Sequence, residues 1–383
     1  MNLAFFTNEF PHPNVGKSGG IGTSIKNLAY AYVRAGHKVY VFVTHKTFDE
    51  FFDNGVHVIA VQKRYEKGGI VQVYKSAKEV EKTLNKYIEQ YKIDFIEIQD
   101  WGGIAALMNL NCRKLIKFNG TDAYFCKLEG RKQSLKFYIF ELFNMRKGDI
   151  YVFVSKFTSI ETYKLFWLKK TKPSYVLPNA INPAIFVPEN QQSEDTTKKI
   201  LYLGTLIRKK GCLEIPAIFN EVLLQEPDAR LILAGNDSFD IATGAKSTWE
   251  MMKSQFDRPD RVEYRGALPY SEVKKVIAEC DICIYPSFAE ALPMTWLEAM
   301  AMQKAIVTSD VGWAPEIVED GSNGYMVNPK SHVSYAGRIV ELLRKPELRT
   351  KFGVMARKTI EEKFNIDLIA RRHIEIMSMF LSR

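Results

Sequence analysis

Two hydrophobic periods alternate along this chain, and that alternation restricts its fold more than any other feature. Short apolar runs at residues 3–6, 39–43, 56–61, 95–98, 115–118 and 150–154 lack the in–out pattern of half-exposed strands and read as buried parallel ones. Between them lie segments of helical period. Ile21, Ile25, Leu28, Ala29, Tyr32 and Val33 recur on one face, with Gly36 as a stop, and further helices are expected near residues 75–91, 103–110 and 134–145. Strands and helices in this order imply a parallel, doubly wound sheet.

Near residue 185 the pattern breaks. Residues 183–199 are polar and aperiodic and read as a linker. A second series follows, with strands at 200–203, 231–233, 282–285 and 305–308, helices near 213–224, 270–278, 294–302 and 333–343, and an amphipathic tail over 367–379. The expected fold class is α/β: two Rossmann-like, doubly wound parallel-sheet domains facing across a cleft, the first over 1–185 and the second over 186–361. Ligands of such sheets bind beyond the carboxyl ends of the strands, near helix N-termini.

Composition narrows the function classes. No apolar run approaches the ~18 residues of a membrane span. The N-terminus already reads as a strand and lacks a basic signal-peptide region, so a cytoplasmic location is expected. Five scattered cysteines argue against a disulfide framework. Cys280 and Cys283 have C-x-x-C spacing, yet they open an apolar strand with no second ligand pair nearby, which favours packing over metal or redox chemistry. The net charge of +9 is uneven: 27 Lys and Arg stand against 16 Asp and Glu in residues 1–185, and 26 against 28 in the remainder. The two halves therefore meet different partners.

Three segments carry candidate chemistry. Gly19-Gly20-Ile21-Gly22 falls between the first strand and first helix, where glycines allow close backbone approach and free N–H groups face an anion. It lacks the G-x-G-x-x-G dinucleotide spacing, and a tight turn remains the alternative. Gly204-Thr205-Leu206-Ile207-Arg208-Lys209-Lys210-Gly211 occupies the equivalent place in the second series. Three successive cations before a helix oppose its dipole unless they are solvated or face an anion such as a diphosphate. The third segment, from Pro286 to Met300, sets Glu290 in a loop after a strand and Glu298 eight residues on, inside the next helix. Carboxylates there suit sugar hydroxyls. A helix-terminus charge for Glu290 and a solvated face for Glu298 are the plainer readings.

Together these residues resemble glycosyltransferase family 4, a GT-B family of retaining enzymes. Glu290 and Glu298 are similar to its E-x7-E motif. The resemblance extends over Gly19-Gly20, Asn119-Gly120-Thr121-Asp122, Leu177-Pro178-Asn179, Gly204 to Gly211, and Gly312 to Gly324. It implies a nucleotide-diphosphate-sugar donor held mainly by the second domain and an acceptor on the first, with a final helix over about 362–383 returning to the first domain. By position, Lys210 would bind the donor diphosphate, Glu298 the ribose hydroxyls and Glu290 the transferred sugar. Backbone amides across Leu292, Pro293, Met294 and Thr295 would support the diphosphate, approached by Gly20 from the other domain.

Three positions depart from the family pattern. Thr205 stands where Arg is common, and Arg208 is expected to supply that charge. Asn119 replaces a His; it cannot act as a base, but it can hydrogen-bond a sugar hydroxyl. Trp313 stands where a second Gly is common, either shaping the pocket or packing. The leaving diphosphate is then expected to take the acceptor's proton, with Lys210 and Arg208 stabilising its charge. No D-x-D is present, and neither cofactor nor metal is expected.

The basic, aromatic stretch 118–172 (Arg131, Lys132, Lys136, Arg146, Lys147, Lys169, Lys170 and Lys172 among Phe137, Tyr138, Phe140, Phe143, Phe166 and Trp167) has three readings. It docks on an anionic membrane surface, receives an acidic or lipid-linked glycan acceptor, or is a solvated face over buried aromatics. No nucleic-acid motif accompanies it. A nucleotide-sugar epimerase and a non-catalytic nucleotide-binding protein are the competing function classes.

Overall fold

The computed structural model describes residues 1–16, 18–63, 69–188 and 197–381. The chain divides into two compact units, Met1–Ala180 with Ile366–Arg383, and Ile181–Asn365.

Unit 1 runs β1 (Asn2–Thr7), α1 (Gly20–Arg34), β2 (Lys38–His45), β3 (Asp49–Asp53), β4 (Val56–Gln62), α2 (Ile70–Gln90), β5 (Phe95–Gln99), β6 (Arg113–Phe118), α3 (Asp122–Glu129), α4 (Leu135–Lys147), β7 (Ile150–Phe153), α5 (Lys156–Leu165) and β8 (Ser174–Val176). Its sheet has the order β3-β4-β2-β1-β5-β6-β7-β8. Only β3 is antiparallel, a hairpin strand on β4 that the apolar runs did not announce. The strands between the edge strands β3 and β8 are largely buried on both faces, which is why they read as continuous apolar runs.

Unit 2 continues with β9 (Lys199–Leu203), α6 (Ile215–Leu223), β10 (Arg230–Ala234), α7 (Thr248–Lys253), β11 (Val262–Tyr264), α8 (Tyr270–Ala278), β12 (Ile282–Tyr285), α9 (Met294–Ala301), β13 (Ala305–Thr308), β14 (Tyr325–Met326), α10 (His332–Arg344) and α11 (Pro346–Lys363). Its sheet, β11-β10-β9-β12-β13-β14, is parallel throughout. The last helix, α12 (Ile366–Leu381), belongs to unit 1. There Ile366, Ile369, Ala370, Ile376 and Met377 join Ile25, Leu28 and Tyr32 of α1 in one apolar cluster.

Each sheet reverses direction once. Unit 1 builds outward from β1 through β2 and then resumes at β5 on the other side; unit 2 does the same from β9, resuming at β12. Loops leaving the carboxyl ends of β1 and β5, and of β9 and β12, therefore splay apart at a topological switch point, where such sheets bind ligands.

Three expectations change. Residues 103–110 form no helix: a 3-10 turn at Trp101–Gly103 ends in two left-handed glycines (φ 65° at Gly102, 63° at Gly103). The apolar residues that suggested helix, Ala105, Ala106, Met108 and Leu110, are buried in a turn and the irregular backbone after it. The unit boundaries fall after Ala180 and Asn365 rather than at 185 and 361. Residues 181–188 fold with unit 2, through the Ile181–Asn365 bridge and an Arg357 bond to the Phe186 carbonyl. At the other end α11 carries unit 2 to Lys363, packed on α9 and β13. Of the expected linker, 189–196 lies outside the described residues.

Candidate functional site

In unit 2 the loops after β9 and β12 are locked together by backbone. The amides of Phe288 and Ala289 both donate to the Lys209 carbonyl, at 2.9 and 3.0 Å. Gly211, left-handed at φ 66°, lies so close to the second loop that a Cβ there would stand 1.7 Å from the Pro286 carbonyl oxygen. This contact explains the glycine: any side chain would wedge the loops apart. It also sets Lys210 beside Glu290, with Nζ 2.9 Å from Oε1.

The cations expected just before a helix sit instead in a 3-10 turn, Arg208–Lys210, ahead of α6. Arg208 and Lys210 face carboxylates. Arg208 grips Asp240 through two bonds of 2.9 and 2.8 Å, and with help from Thr243 that grip holds the buried Asp240 at about 2. Asp240 belongs to no motif, so nothing in the sequence marked Arg208 as already paired. Thr205 accepts the Tyr202 hydroxyl on its carbonyl at 3.0 Å.

Glu298 lies within α9 and is 4% exposed. Burial lifts its carboxyl to about 7 against the opposing pull of a Tyr270 hydrogen bond and the Lys210 charge. The N-terminus of α9 has no side-chain cap and no acid in its first turn. One expectation needs correction: Pro293 has no N–H, so only Leu292, Met294 and Thr295 can offer amides there. Trp313 is fully buried and packs rather than shaping an open pocket.

In unit 1 the amides of Gly19 and Gly22 donate to the two carboxylate oxygens of Glu9, at 2.8 and 2.9 Å. Glu9 follows β1 and supplies the anion for the α1 N-terminus; its ten-residue separation from Gly19 left no signature. Gly20, the first residue of α1, is exposed.

Asn119 follows β6 at the same sheet edge. Its amide and that of Gly120 donate to Asp100, which closes β5, both at 3.1 Å. Asp100 is fully buried, and desolvation raises it to about 7 despite those bonds. The Asn119 side chain heads a buried chain of polar groups: Nδ2 donates to Gln99 Oε1 at 2.5 Å, and Gln99 Nε2 to Glu97 Oε1 at 3.3 Å. Lys117, whose ammonium burial depresses to about 8, lies against Glu97 and donates to the Leu177 carbonyl at 2.9 Å. Residues 97, 99, 117 and 119 alternate on adjacent parallel strands and so share one face. The chain fixes the Asn119 amide with its donor inward, and Oδ1 is buried without a hydrogen-bond partner among the described residues.

The stretch 118–172 is not one face. Arg131 pairs with Glu129 and Asp122, Lys172 donates to carbonyls at the end of α4, and Phe166 is buried against Tyr138. Leu135, Phe137, Phe143 and Trp167 are exposed. Among the described residues, no group of three or more His, Cys, Asp or Glu could hold a metal ion, and no helix is long and apolar enough to cross a membrane.

Residues 18–185 match the family described as glycosyltransferase family 4, and residues 186–359 that described as glycosyl transferases group 1. An uncharacterized glycosyltransferase of Methanocaldococcus jannaschii is 27% identical, covering 98% of this chain and 97% of its own. Alpha-maltose-1-phosphate synthase of Mycolicibacterium smegmatis is 26% identical over 53% of this chain and 56% of its own. Sucrose-phosphate synthase of Thermosynechococcus elongatus superposes with a TM-score of 0.81 over 100% of both chains at 19% identity. Anabaena HepE, solved with UDP and glucose, superposes at 0.75 over 99% of each chain at 17% identity. At such identities the likeness establishes the fold, GT-B.

Proposed function

This chain belongs to glycosyltransferase family 4, and from that premise we propose that it is a retaining hexosyltransferase. It moves a sugar from a nucleotide diphosphate to a hydroxyl of a glycan, lipid-linked or small-molecule acceptor, without a metal ion. The observation that carries this reading is the Lys210–Glu290 pair at the switch point of unit 2, with Glu298 behind it. Glu290 turns to the hydroxyls of the donor sugar, which frees the Lys210 ammonium for the diphosphate. The Leu292, Met294 and Thr295 amides add donors at an uncapped helix N-terminus. Arg208 joins them only by leaving Asp240.

In the proposed front-face step, the bond from the anomeric carbon to the diphosphate oxygen breaks as the acceptor oxygen bonds to the same face. The acceptor's proton passes to the departing diphosphate oxygen. Lys210 stabilises the charge growing there, an electrostatic contribution made mostly in the transition state. Asn119 offers Oδ1 as an acceptor, which suits a donor-sugar hydroxyl and leaves no imidazole in the role of base.

Thermal stabilisation by a panel of UDP-, GDP- and ADP-sugars, with and without chelator, tests this reading. One donor should raise the melting temperature selectively and equally in both conditions, and the transferred sugar should keep its anomeric configuration. Donor consumed without transfer would indicate an epimerase. Stabilisation that vanishes with chelator and returns with Mg2+ would overturn the metal-free mechanism.

A further inference from the structure

Unit 1 contains a cavity that the donor site does not use. It measures about 240 Å3 and lies between α2, α4 and the turn after β5. Val73, Ala77 and Val80 of α2, Met108 of the turn, and Phe137 and Phe140 of α4 line it. The apolar stripe of α2 explains its origin. Val80, Leu84 and Ile88 pack into the core beneath the sheet, and Ala77 and Val73 continue the same stripe at helical spacing into the cavity wall. Among the described residues the stripe thus outruns the core packed against it. Mostly apolar cavities weaken a fold, and ligands with apolar chains fill them.

Its position points the same way. Thr44 near the end of β2 and Gly102 and Gly103 after β5 also border it, so it lies at the carboxyl edge of the sheet, as Asn119 does. The two places are coupled by backbone. Asp100, which holds the Asn119 and Gly120 amides, immediately precedes the glycine turn. Glu141 of α4 accepts from Gly102, Asp122 and Ala123, at 3.4, 2.7 and 3.3 Å, tying the cavity wall to the loop after Asn119. Two cations line the cavity, Lys63 and Lys136, and neither has a carboxylate partner among the described residues. Apolar side chains continue outward on the same helices: Val71 and Tyr74 on α2, Leu135 on α4, all half or more exposed.

We propose that this cavity binds the hydrocarbon chain of an anionic amphiphile, with Lys63 and Lys136 at its acidic head and the hydroxyl end directed along the sheet edge toward Asn119. Chain length sets the fit, because the lining between the two lysines is mostly apolar, with Ser76 and Thr44 as its hydroxyl groups; the lysines set the sign of the head. That the amphiphile is the sugar acceptor rests on the glycosyl-transfer reading. That the cavity takes an acidic chain does not.

The test is calorimetric titration of the full chain, without donor, with linear monoalkyl phosphates of increasing length below their micellar concentration. Inorganic phosphate, the matching alkanols, and vesicles of phosphatidylcholine with or without phosphatidylglycerol complete the set. Affinity should rise about fourfold per methylene and then level off once the cavity is full. Alkanols should bind more weakly, by a margin that Lys63→Gln with Lys136→Gln removes. Ala77→Trp, which fills the cavity from the α2 wall, should flatten the chain-length dependence. Phe137→Ser, at a half-exposed position where the fold tolerates a polar side chain, should weaken binding about tenfold by shortening one wall.

Inorganic phosphate binding as tightly as the longest chain would overturn the proposal. So would a slope that never levels off and survives in Ala77→Trp, since that is adsorption to the exposed helix faces. Binding to anionic vesicles but to no monomeric alkyl phosphate would overturn it in favour of a membrane-docking face. Alkyl phosphate binding in a chain that no nucleotide sugar stabilises would leave the cavity standing and remove only its connection to glycosyl transfer.

Discussion

Asp100 and Asp240 are the same side chain, both essentially buried and both past the carboxyl end of a strand, yet their acidities move apart. Asp240 is drawn down to about 2 by the Arg208 guanidinium, while desolvation lifts Asp100 to about 7 over bonds from backbone amides. The contrast extends to the two sheet edges. Unit 2 meets two acids at its edge with cations, Arg208 for Asp240 and Lys210 for Glu290, and leaves the buried Glu298 with a Tyr270 hydrogen bond and the Lys210 charge nearby. Unit 1 satisfies its acids with peptide N–H groups, Glu9 on Gly19 and Gly22, Asp100 on Asn119 and Gly120, Glu141 on Gly102, Asp122 and Ala123. An edge of exchangeable ion pairs suits a ligand that brings its own charge. An edge of fixed amides suits hydroxyl groups, which need orientation more than neutralisation.

Removing the central cation of unit 2 tests that contrast most severely. Lys210→Ala should lower kcat/KM by about a hundredfold or more, as loss of a group stabilising transition-state charge does, with circular dichroism unchanged. Turnover within about threefold of the parent would make the Lys210–Glu290 pair a structural contact, and the electrostatic difference between the edges would carry no chemistry.

Gly211→Ala comes next. It keeps every charge but forces a Cβ against the Pro286 carbonyl in a left-handed conformation. Denaturant melts should show a loss of about 3 kcal/mol, accompanied by weaker nucleotide-sugar binding as the two loops separate. An equal loss of stability with donor affinity intact would mean that the registry of the loops does not set the position of Lys210.

That registry is also where the sequence stops being informative. The strands were legible because burial on both faces writes them as apolar runs, and the second-domain motif was legible because Pro286 to Met300 holds loop, helix start and both glutamates within one local segment. Asp240 and Glu9 were not, since each meets its partner through tertiary folding and belongs to no short pattern. Asn119 was marked by its motif, but its supports were not: Glu97, Gln99 and Lys117 reach it across a strand pair whose register only the sheet reveals. Residues 103–110 show the converse error, where apolar spacing that fits a helix served a buried turn broken by two left-handed glycines. The Gly211–Pro286 contact joins two loops far apart in the chain, and a glycine at that place is equally consistent with an ordinary turn.

On the unit 1 side, Gln99→Met removes the group that holds the Asn119 amide while keeping its bulk. Because Gln99 acts through Asn119, kcat should fall about tenfold from misorientation, with little change in KM for the donor, since the proposed diphosphate site lies in unit 2. A rise in donor KM with kcat intact would place Asn119 in ground-state binding instead. Unchanged kinetics would show that the buried amide chain serves folding alone.

The smallest effect separates the two ways of satisfying an acid. Glu141 is fully buried and desolvation lifts it to about 8, with the nearby Asp100 adding to the rise, while its backbone bonds oppose it. Its folded pKa therefore lies above its unfolded one. Below the unfolded value of about 4.5 both states are protonated and the group contributes nothing to the pH dependence. As pH rises toward 8 the unfolded carboxyl ionises and the folded one does not, so unit 1 loses stability across that window, and above it the loss is constant. Glu141→Gln abolishes this titration at a fixed cost from one amide group turned toward a backbone N–H. Relative to the parent it should gain stability between about pH 5 and pH 8, by about 1–3 kcal/mol on allowing for relaxation around a buried acid. Asp240→Asn should show no such gain in that range, since its partner is a cation and its folded pKa is lowered: what Asp240 contributes is fully present above about 4 and is lost only as pH falls toward 2. If both variants gave the same flat difference from about pH 5 to pH 8, the amide-bound acids of unit 1 would be ionised like the ion-paired ones of unit 2, and the two edges would not differ in the way their buried acids imply.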